Sequence, residues 1–177
     1  MKPGREVIVC RNESEIADCL QVRRGVFTVE QGIDAAEDLD GKDSRAVHAL
    51  ARVDGKPVGT ARVVIEGKTG RVGRVAVLRQ WRKQGIGVAL IEAVKKEARK
   101  RRVTEYILDA QISATGFYEK IGYVKTGREF MEVGIPHIKM QKKGELNGFE
   151  EQSFAQTQQG TTQDTRAEQG ESKTAFC

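Results

Sequence analysis

The sequence predicts an α/β fold in which a mixed β-sheet packs against helices. The spacing of apolar residues along the chain switches repeatedly between two, which is typical of strands, and about three and a half, which is typical of helices. Three successive strands in the first half are separated by short glycine-bearing turns, which join antiparallel neighbours. The predicted element order is β-α-β-β-β-α-β-α-β-β, with seven strands.

The first half of the chain is predicted to contain one helix and four strands. Asn12 or Ser14 caps the helix, which extends through an apolar stripe towards Val26. An acidic loop covers 30–43, and Asp54-Gly55 is a strong hairpin signal between two later strands. The predicted strands cover 7–10, 46–53, 58–65 and 72–78.

The second half begins with an amphipathic helix of about 17 residues, from Gly85 towards Arg102, with a basic face opposite its apolar stripe. A short helix over 112–121 is ended by Gly122, a residue that favours helix termination. The remaining predicted strands cover 106–108, a segment from Tyr123 onward, and 137–140.

Composition divides the chain near Lys143. The segment beyond it is rich in Gln, Thr, Gly and Glu, has no Ile, and carries six acidic residues against two basic ones. Such a segment buries too little apolar area to offset its chain entropy. We therefore expect a single folded domain over 1–143 and a polar, disordered C-terminal tail over 144–177.

Several classes of protein are excluded by composition. No apolar run approaches the ~20 residues that cross a bilayer, and the N-terminus lacks the apolar core of a signal peptide, which predicts a cytoplasmic protein. Cysteines at positions 10, 19 and 177 are too scattered for a disulfide framework, and the two histidines make no zinc pattern with them. We expect no metal.

A strand followed by a glycine-bearing turn and a helix covers 75–87. The first amides of a helix lack internal partners and lie at the positive end of its dipole, so such a turn attracts anions. Arg79, Arg82 and Lys83 add positive charge at the same place. The segment therefore predicts a diphosphate site.

Two known phosphate motifs fit this turn poorly. A Walker loop requires Gly-Lys-Ser/Thr, and Gly87 is followed by Val88-Ala89. A dinucleotide fingerprint needs a small residue where Leu90 stands, and it begins a doubly wound parallel sheet, whereas three strands in two hairpins precede this turn. The dinucleotide motif stays an alternative.

The pattern Arg82-x-x-Gly85-x-Gly87 resembles the pyrophosphate signature of the GCN5-related N-acetyltransferase (GNAT) family, and 114–123 resembles the family's second signature. The resemblance covers 5–142 and implies the GNAT, or acyl-CoA N-acyltransferase, fold with about seven strands and helices on both faces. Three segments are similar to the ElaA/YjcF-like branch of the family: Val26–Gln31, Leu108–Gln111 and Glu132–Ile138.

The resemblance implies acetyl-CoA as the cosubstrate and a set of residues around it. A backbone N–H near Val77 would polarise the thioester carbonyl, and Gln111 stands where the family commonly has Asn, as in the ElaA/YjcF-like branch. The residues implied to bind acetyl-CoA are Val75, Ala76, Val77, Arg82, Lys83, Gln84, Gly85, Ile86, Gly87, Gln111 and Phe117.

The resemblance implies Tyr118 as the general acid that protonates the CoA sulfur. A phenol with a pKa of about 10 stays protonated at neutral pH, as an acid must. The alternative for Tyr118 is a structural ring packed on the sheet. No Ser or Cys is paired with His in a nucleophilic pattern, which favours direct transfer through a ternary complex.

The amine substrate must lose a proton before it attacks, because aliphatic amines are mostly ammonium ions at pH 7. The candidates for the base are Glu30, Glu132 and His137. Glu30 lies in a segment that usually lines the acceptor cleft in this family. His137 has a structural alternative, as a satisfied histidine near a strand end.

We expect an acetyl-CoA-dependent N-acetyltransferase that acts on a small-molecule primary amine. The alternatives are acetylation of a protein amine and a non-catalytic acyl-CoA-binding regulatory module. The acidic residues of the loop over 30–43 suggest a cationic acceptor, with a solvated loop as the alternative. We expect a monomer or homodimer with no nucleic-acid or membrane partner, because the basic residues 95–102 fit the exposed face of the helix.

Overall fold

The computed structural model describes residues 4–144 and places seven strands in one sheet. The strands are β1 (Arg5–Val9), β2 (Val47–Val53), β3 (Lys56–Glu66), β4 (Thr69–Val77), β5 (Glu105–Gln111), β6 (Val124–Glu132) and β7 (Ile135–Lys143). Their order across the sheet is β1-β2-β3-β4-β5-β7-β6. Apart from Gly144, the predicted tail lies outside the described residues.

The sheet is mixed, as the sequence predicts. Every neighbouring pair of strands is antiparallel except β4 and β5, which run parallel. The parallel pairing joins only Thr69–Arg71 to residues 105–107. This arrangement differs from the doubly wound parallel sheet that a dinucleotide-binding motif requires.

The predicted hairpin between β2 and β3 is confirmed. Asp54 and Gly55 form its turn with φ angles of 49° and 75°, and positive φ at both central residues is the geometry that Asp-Gly favours. The turn fixes which residues of β3 face each side of the sheet. That register positions Arg62, described below.

Helices cover both faces of the sheet. They are α1 (Glu13–Arg23), α2 (Ala35–Asp38), α3 (Ile86–Arg99) and α4 (Thr115–Lys120). A Cβ at Gly59 would lie 3.0 Å from Leu90 and 3.1 Å from Ile86, so this glycine allows α3 to pack closely on β3. Thr60, the next residue, contacts Cys19 of α1. Because neighbouring strand residues point to opposite faces, α1 and α3 lie on opposite sides.

The first helix begins as predicted but ends differently. The side chain of Asn12 accepts a hydrogen bond from the amide of Glu15 at 2.9 Å, which confirms Asn12 as the cap. The α-helix stops at Arg23, and Arg24–Glu30 continues as a π-helix. The wider turns of the π-helix keep Val26 in the core. They also place Glu30 and Gln31 next to the ends of β4 and β5.

The long helix α3 is shorter than predicted and less exposed on its basic side. It ends at Arg99, and Arg102 has a positive φ of 59° that no helix accommodates. Lys95 is only 2% exposed, so its assignment to a solvated basic face is wrong. Its ammonium lies 2.7 Å from Glu92 and above the ring of Tyr106, because a lysine stem buries well while its charge finds a partner.

Candidate active site

A gap opens in the sheet where β4 and β5 separate. Their pairing ends at Arg71 and Ile107, yet both strands continue, to Val77 and Gln111. The gap forms part of a cleft of about 830 Å³. The cleft is lined by the end of the π-helix, the acidic loop, β3, β4, β5 and the turn between β6 and β7.

The backbone of Val77 faces this gap. The amide of Leu78 donates to Val58 of β3 at 2.9 Å, so it points away from the gap. Peptide groups of successive strand residues point to opposite edges, and the N–H and C=O of Val77 therefore point into the gap. The carbonyl oxygen of Val77 accepts a hydrogen bond from Arg82 Nε at 2.8 Å.

The turn before α3, Lys83–Val88, presents a row of unpaired amides that we call the amide turn. Within residues 4–144, no backbone or side-chain oxygen accepts a hydrogen bond from these amides. Gly85 has a φ of 81°, and a Cβ placed on it would meet nothing within 4 Å. The turn therefore combines free donors, the positive end of a helix dipole and open space for an anion.

The motif suggests that Gly87 gives a phosphate room to approach the backbone, but in the structure Gly87 gives room to the ring of Phe117. A Cβ at this position would lie 3.2 Å from the ring of Phe117. The glycine thus allows the first turn of α3 to pack against α4, while the space next to Gly85 remains open. Phe117 accordingly forms a wall beside the amide turn.

The amide turn is also held by a residue that the sequence does not single out. Arg5 of β1 contacts the side chain of Gln84, and its guanidinium donates to the Gln84 carbonyl at 3.4 Å. Gln84 Nε2 donates to the carbonyl of Gln80 at 3.1 Å. Ile86 points its side chain into the core, so only its backbone is available to a ligand. No local motif reveals Arg5, because it lies 79 residues away.

Arg82 and Glu30 form a bidentate ion pair at the end of the gap. The two terminal nitrogens of Arg82 donate to the Glu30 carboxylate at 2.7 and 2.6 Å. These hydrogen bonds hold the pKa of Glu30 below its usual value. Glu30 is therefore a weak proton acceptor in this arrangement, and Arg82 is directed to Val77 and Glu30.

The residue after Glu30 reaches the other side of the gap. Gln111 Nε2, at the end of β5, donates to Gln31 Oε1 at 3.0 Å. The end of the π-helix thus contacts both walls, through Arg82 on one side and Gln111 on the other. The two contacts link the end of β4 to the end of β5 across the gap.

Tyr118 of α4 lies in the cleft lining, on the side of β5. Its ring packs edge-on against Phe117, with centroids 5.0 Å apart, and against Tyr123, with centroids 5.9 Å apart. Burial raises the pKa of Tyr118 to about 12. The phenol consequently keeps its proton over the whole neutral range.

His137 lies opposite Gln111 in the register between β5 and β7, and it lines the same cleft. Its Nδ1 is 2.9 Å from the carbonyl oxygen of Ile135. A carbonyl only accepts, so Nδ1 carries the hydrogen and Nε2 of the neutral ring presents a lone pair. Glu132 Oε2 lies 4.0 Å from Nε2. The pair can hold a proton at Nε2 beside a carboxylate.

The acidic loop is largely exposed, as the solvated interpretation expects, but part of its charge is paired. Asp38 and Asp43 bind Arg23, whose side chain is 1% exposed, at 2.8 Å each. Asp40 and Asp43 bind Arg62 of β3 at 2.6 and 2.7 Å. Three of the loop's carboxylates are therefore committed to buried arginines, which leaves less free negative charge for a cationic acceptor than the sequence suggests. The sequence spacing gave no sign of these partners.

The structure brings most of the predicted site residues to one region. Those in the cleft lining are Val75, Ala76, Val77, Arg82, Gln111, Tyr118, Glu132 and His137. Lys83, Gln84, Gly85, Ile86 and Gly87 form the amide turn with Phe117 beside it. Glu30 reaches the cleft through Arg82.

In residues 4–144, no three His, Cys, Asp or Glu side chains lie together as metal ligands do. No helix of the described residues has the length and apolar character to span a bilayer.

Comparison with known proteins gives consistent results. A family profile described as "Acetyltransferase (GNAT) domain" matches residues 21–144. The uncharacterized N-acetyltransferase YjcF of Bacillus subtilis is 34% identical over 138 residues, which is 77% of this chain and 99% of that protein. The uncharacterized protein YyaT of the same organism is 37% identical over 134 residues, covering 74% of this chain and 90% of YyaT.

Solved structures are similar over the same region. Escherichia coli ElaA superposes with a TM-score of 0.67 at 25% identity, covering 79% of this chain and 99% of ElaA. An acyl-CoA N-acyltransferase from Pseudomonas aeruginosa gives a TM-score of 0.67 at 27% identity, covering 80% and 99% of the two chains. The predicted likeness to the ElaA/YjcF-like branch is confirmed.

Proposed function

The chain belongs to the GNAT acetyltransferase family, and we propose that it transfers the acetyl group of acetyl-CoA directly to a primary amine of a small molecule. The observation that carries this proposal is the proximity of the amide turn to Val77 at the gap between β4 and β5: a Cβ at Gly87 would lie 4.0 Å from the Val77 side chain. A molecule with a diphosphate at one end and a thioester at the other fits this arrangement. The printed names of the relatives support acyl transfer as the reaction class.

The amide turn would bind the diphosphate of CoA. Six successive amides without internal acceptors, with the adjacent Lys83 side chain, supply donors and positive charge. The open space at Gly85 allows phosphate oxygens to approach the backbone closely. Arg82 contributes indirectly, because its guanidinium is already bound to Glu30 and Val77.

Acetyl-CoA supplies an activated acetyl thioester. The N–H of Val77 points into the gap and would donate to the thioester carbonyl oxygen as negative charge develops there. Removing one such preorganised donor typically costs 10²- to 10³-fold in rate. Val75, two residues earlier on the same strand, would contact the pantetheine through its backbone.

Tyr118 would protonate the departing sulfur. Its raised pKa keeps the phenol protonated at neutral pH, and its ring is held between Phe117 and Tyr123. A positioned acid is typically worth 10²- to 10⁴-fold in rate. These features support an acid role beside the structural role of the ring.

His137 would accept the proton of the attacking amine at Nε2. Its hydrogen bond to Ile135 fixes the tautomer, and Glu132 lies where it can stabilise the protonated ring. Glu30 suits this role less, because its carboxylate is neutralised by Arg82. Among the described lining residues there is no Ser or Cys, which supports direct transfer over an acyl-enzyme.

The test is a thiol-release assay with acetyl-CoA against a panel of small primary amines, with thiol release in the absence of amine as the background. We expect amine-dependent release and an acetylated amine in the product mixture. Binding of acetyl-CoA measured by calorimetry, together with background release for every amine, would favour the non-catalytic module. Release only with peptides or intact proteins would favour the protein amine as acceptor.

A further inference from the structure

Three residues of β4 form the floor of the cleft on the side away from the amide turn: Arg71, Gly73 and Arg74. A Cβ at Gly73 would meet nothing within 4 Å. Glycine inside a strand often marks a place where a ligand approaches the backbone. The floor is thus an open stretch of main chain with an arginine on each side.

The backbone around Arg74 is irregular. The register between β3 and β4 shifts between the pairs Arg62–Gly73 and Thr60–Ala76, and Arg74 has a positive φ of 52°. A bulge of this kind redirects a side chain, and bulges are common beside active sites. Here the bulge turns Arg74 towards the cleft, where it remains 23% exposed.

Hydrogen bonding leaves surplus donors on the floor. Arg71 contacts Asp109 through Nη1 at 2.9 Å, and Arg74 contacts Asp38 through Nε at 2.9 Å. Arg74 Nε also donates to the Asp38 carbonyl at 3.2 Å, and its Nη2 lies 3.6 Å from Asp40. Each guanidinium carries five N–H donors, so more than half of the donors of each remain unused by these contacts. The carboxylates, by contrast, are shared: Asp38 also binds Arg23, and the exposed fraction of its side chain is only 10%.

We propose that Arg71 and Arg74 form a subsite for an anionic group, a carboxylate or a phosphate, carried by the acceptor amine. The inference rests on the proposed function and adds the substrate class to it. Guanidinium groups bind such anions through paired N–H donors, which gives geometric selectivity as well as charge. The paired aspartates keep the arginines oriented towards the cleft.

The strand sets the distance between the two ends of the acceptor. Arg74, the nearer of the two arginines, precedes Val77 by three residues, which is roughly 10 Å in an extended strand. The acceptor therefore carries its anion roughly 10 Å from the reacting nitrogen. The side-chain amine of a diamino acid or the amine of a sugar phosphate spans much of that distance, whereas the α-amine of an amino acid lies too close to its own carboxylate.

The proposal is tested by calorimetric binding of matched ligand pairs to the enzyme with CoA present, which requires no turnover. The pairs are lysine against lysinamide, and glucosamine 6-phosphate against glucosamine. We expect the anionic member of at least one pair to bind about 10- to 100-fold more tightly, the range of charge-assisted hydrogen bonds. The pair that shows the preference identifies carboxylate or phosphate as the source.

The variants locate the subsite. Arg71→Gln combined with Asp109→Asn removes both charges together and leaves no lone carboxylate, and it should reduce the preference, because Arg74 alone is left to bind the anion. Arg128→Gln, an exposed arginine of β6 outside the cleft lining, should retain it. Melting temperatures of both variants show that they are folded. If the double variant fails to fold, Arg74→Lys is the second test. It keeps the positive charge but loses the paired N–H donors of the guanidinium, and it should reduce the preference.

The outcomes separate this inference from the proposed function. Equal binding of both members of each pair, a lack of measurable binding by either anionic ligand, or a preference of unchanged size in the double variant would overturn the subsite. Selective binding without thiol release from acetyl-CoA for any amine would support the subsite and contradict the acetyltransferase. Thiol release with equal kcat/KM for both members of each pair would support the acetyltransferase and contradict the subsite.

Discussion

Arg82 holds Glu30 through two hydrogen bonds of 2.7 and 2.6 Å, and its third contact, from Nε, is to the carbonyl of Val77 at 2.8 Å. One guanidinium thus joins the end of the π-helix to the strand residue whose amide faces the gap. The ion pair makes Glu30 a partner of Arg82, although the sequence also makes Glu30 a candidate for the base. Under the proposed function, Glu30 positions Arg82 and His137 accepts the proton of the amine.

The roles of these two groups are separable by mutation. His137→Ala should lower kcat by about 10²- to 10⁴-fold, because it removes the proton acceptor, with part of the rate restored by added imidazole. Glu30→Gln should lower kcat by less than about 10-fold, because the amide still accepts from Arg82. Steady-state kinetics with and without imidazole measure both effects. A larger loss for Glu30→Gln than for His137→Ala would reverse the assignment.

Tyr118→Phe should lower kcat by about 10- to 1000-fold and leave acetyl-CoA affinity nearly unchanged, because only a proton donor is lost. Tyr123→Phe is the matched control: its hydroxyl is buried without a partner among the described residues, so removing it should cost little. Because burial raises the pKa of Tyr118 to about 12, the wild type should show no loss of activity from this phenol below about pH 11. Activity unaffected by Tyr118→Phe would leave the ring a structural role.

Gly85→Glu should abolish acetyl-CoA binding, because a side chain and a negative charge would enter the space next to the amide turn. Gly67→Glu is a stringent control: Gly67 also has a positive φ, 61°, with open space around it, but lies in the turn between β3 and β4. Both variants carry similar backbone strain. Calorimetry should show lost affinity only for Gly85→Glu; equal affinities would remove the diphosphate from this turn.

Asp40→Asn tests the buried ion pairs of the acidic loop. The hydrogen bonds from Arg62 hold the pKa of Asp40 well below its usual 3.8. A carboxyl group with a lowered pKa in the folded state adds stability above about pH 4, and this contribution is lost as the pH falls further. The variant should therefore be less stable at pH 7 by about 1–3 kcal/mol.

Urea unfolding at pH 7 and pH 3 measures this difference, which should shrink at the lower pH. Glu129→Gln, at an exposed position of β6, controls for the loss of a carboxylate and should change the free energy of unfolding little at either pH. A constant difference between Asp40→Asn and the wild type at both pH values would mean that the ion pair is not its source.

Local sequence signals predicted much of the architecture. Asp54-Gly55 fixes a hairpin and Asn12 fixes a helix start, because each acts on backbone atoms two or three residues away. The amide turn was also recognisable, since its glycine, basic residues and helix are contiguous. Such features need no knowledge of the remaining fold.

Most of the contacts that sequence reasoning missed join distant segments. Arg82 and Glu30 are 52 residues apart, and Arg62 lies 22 residues from Asp40. An arginine inside the apolar run of β3 is a signal that could have indicated a buried acidic partner, because a charge at such a position needs one. Which of the acidic residues it meets depends on how the π-helix and the loop fold over the sheet, and no spacing rule gives that.

The short pairing between β4 and β5, three residues on each strand, affects how the sheet opens locally. With so few backbone links, we expect β1–β4 and β5–β7 to open to solvent as two separate units. Amide protons in the two units should exchange with deuterium at different rates. A compound bridging the opening would tie the units together, so slower exchange on both sides would report occupancy without any chemical turnover.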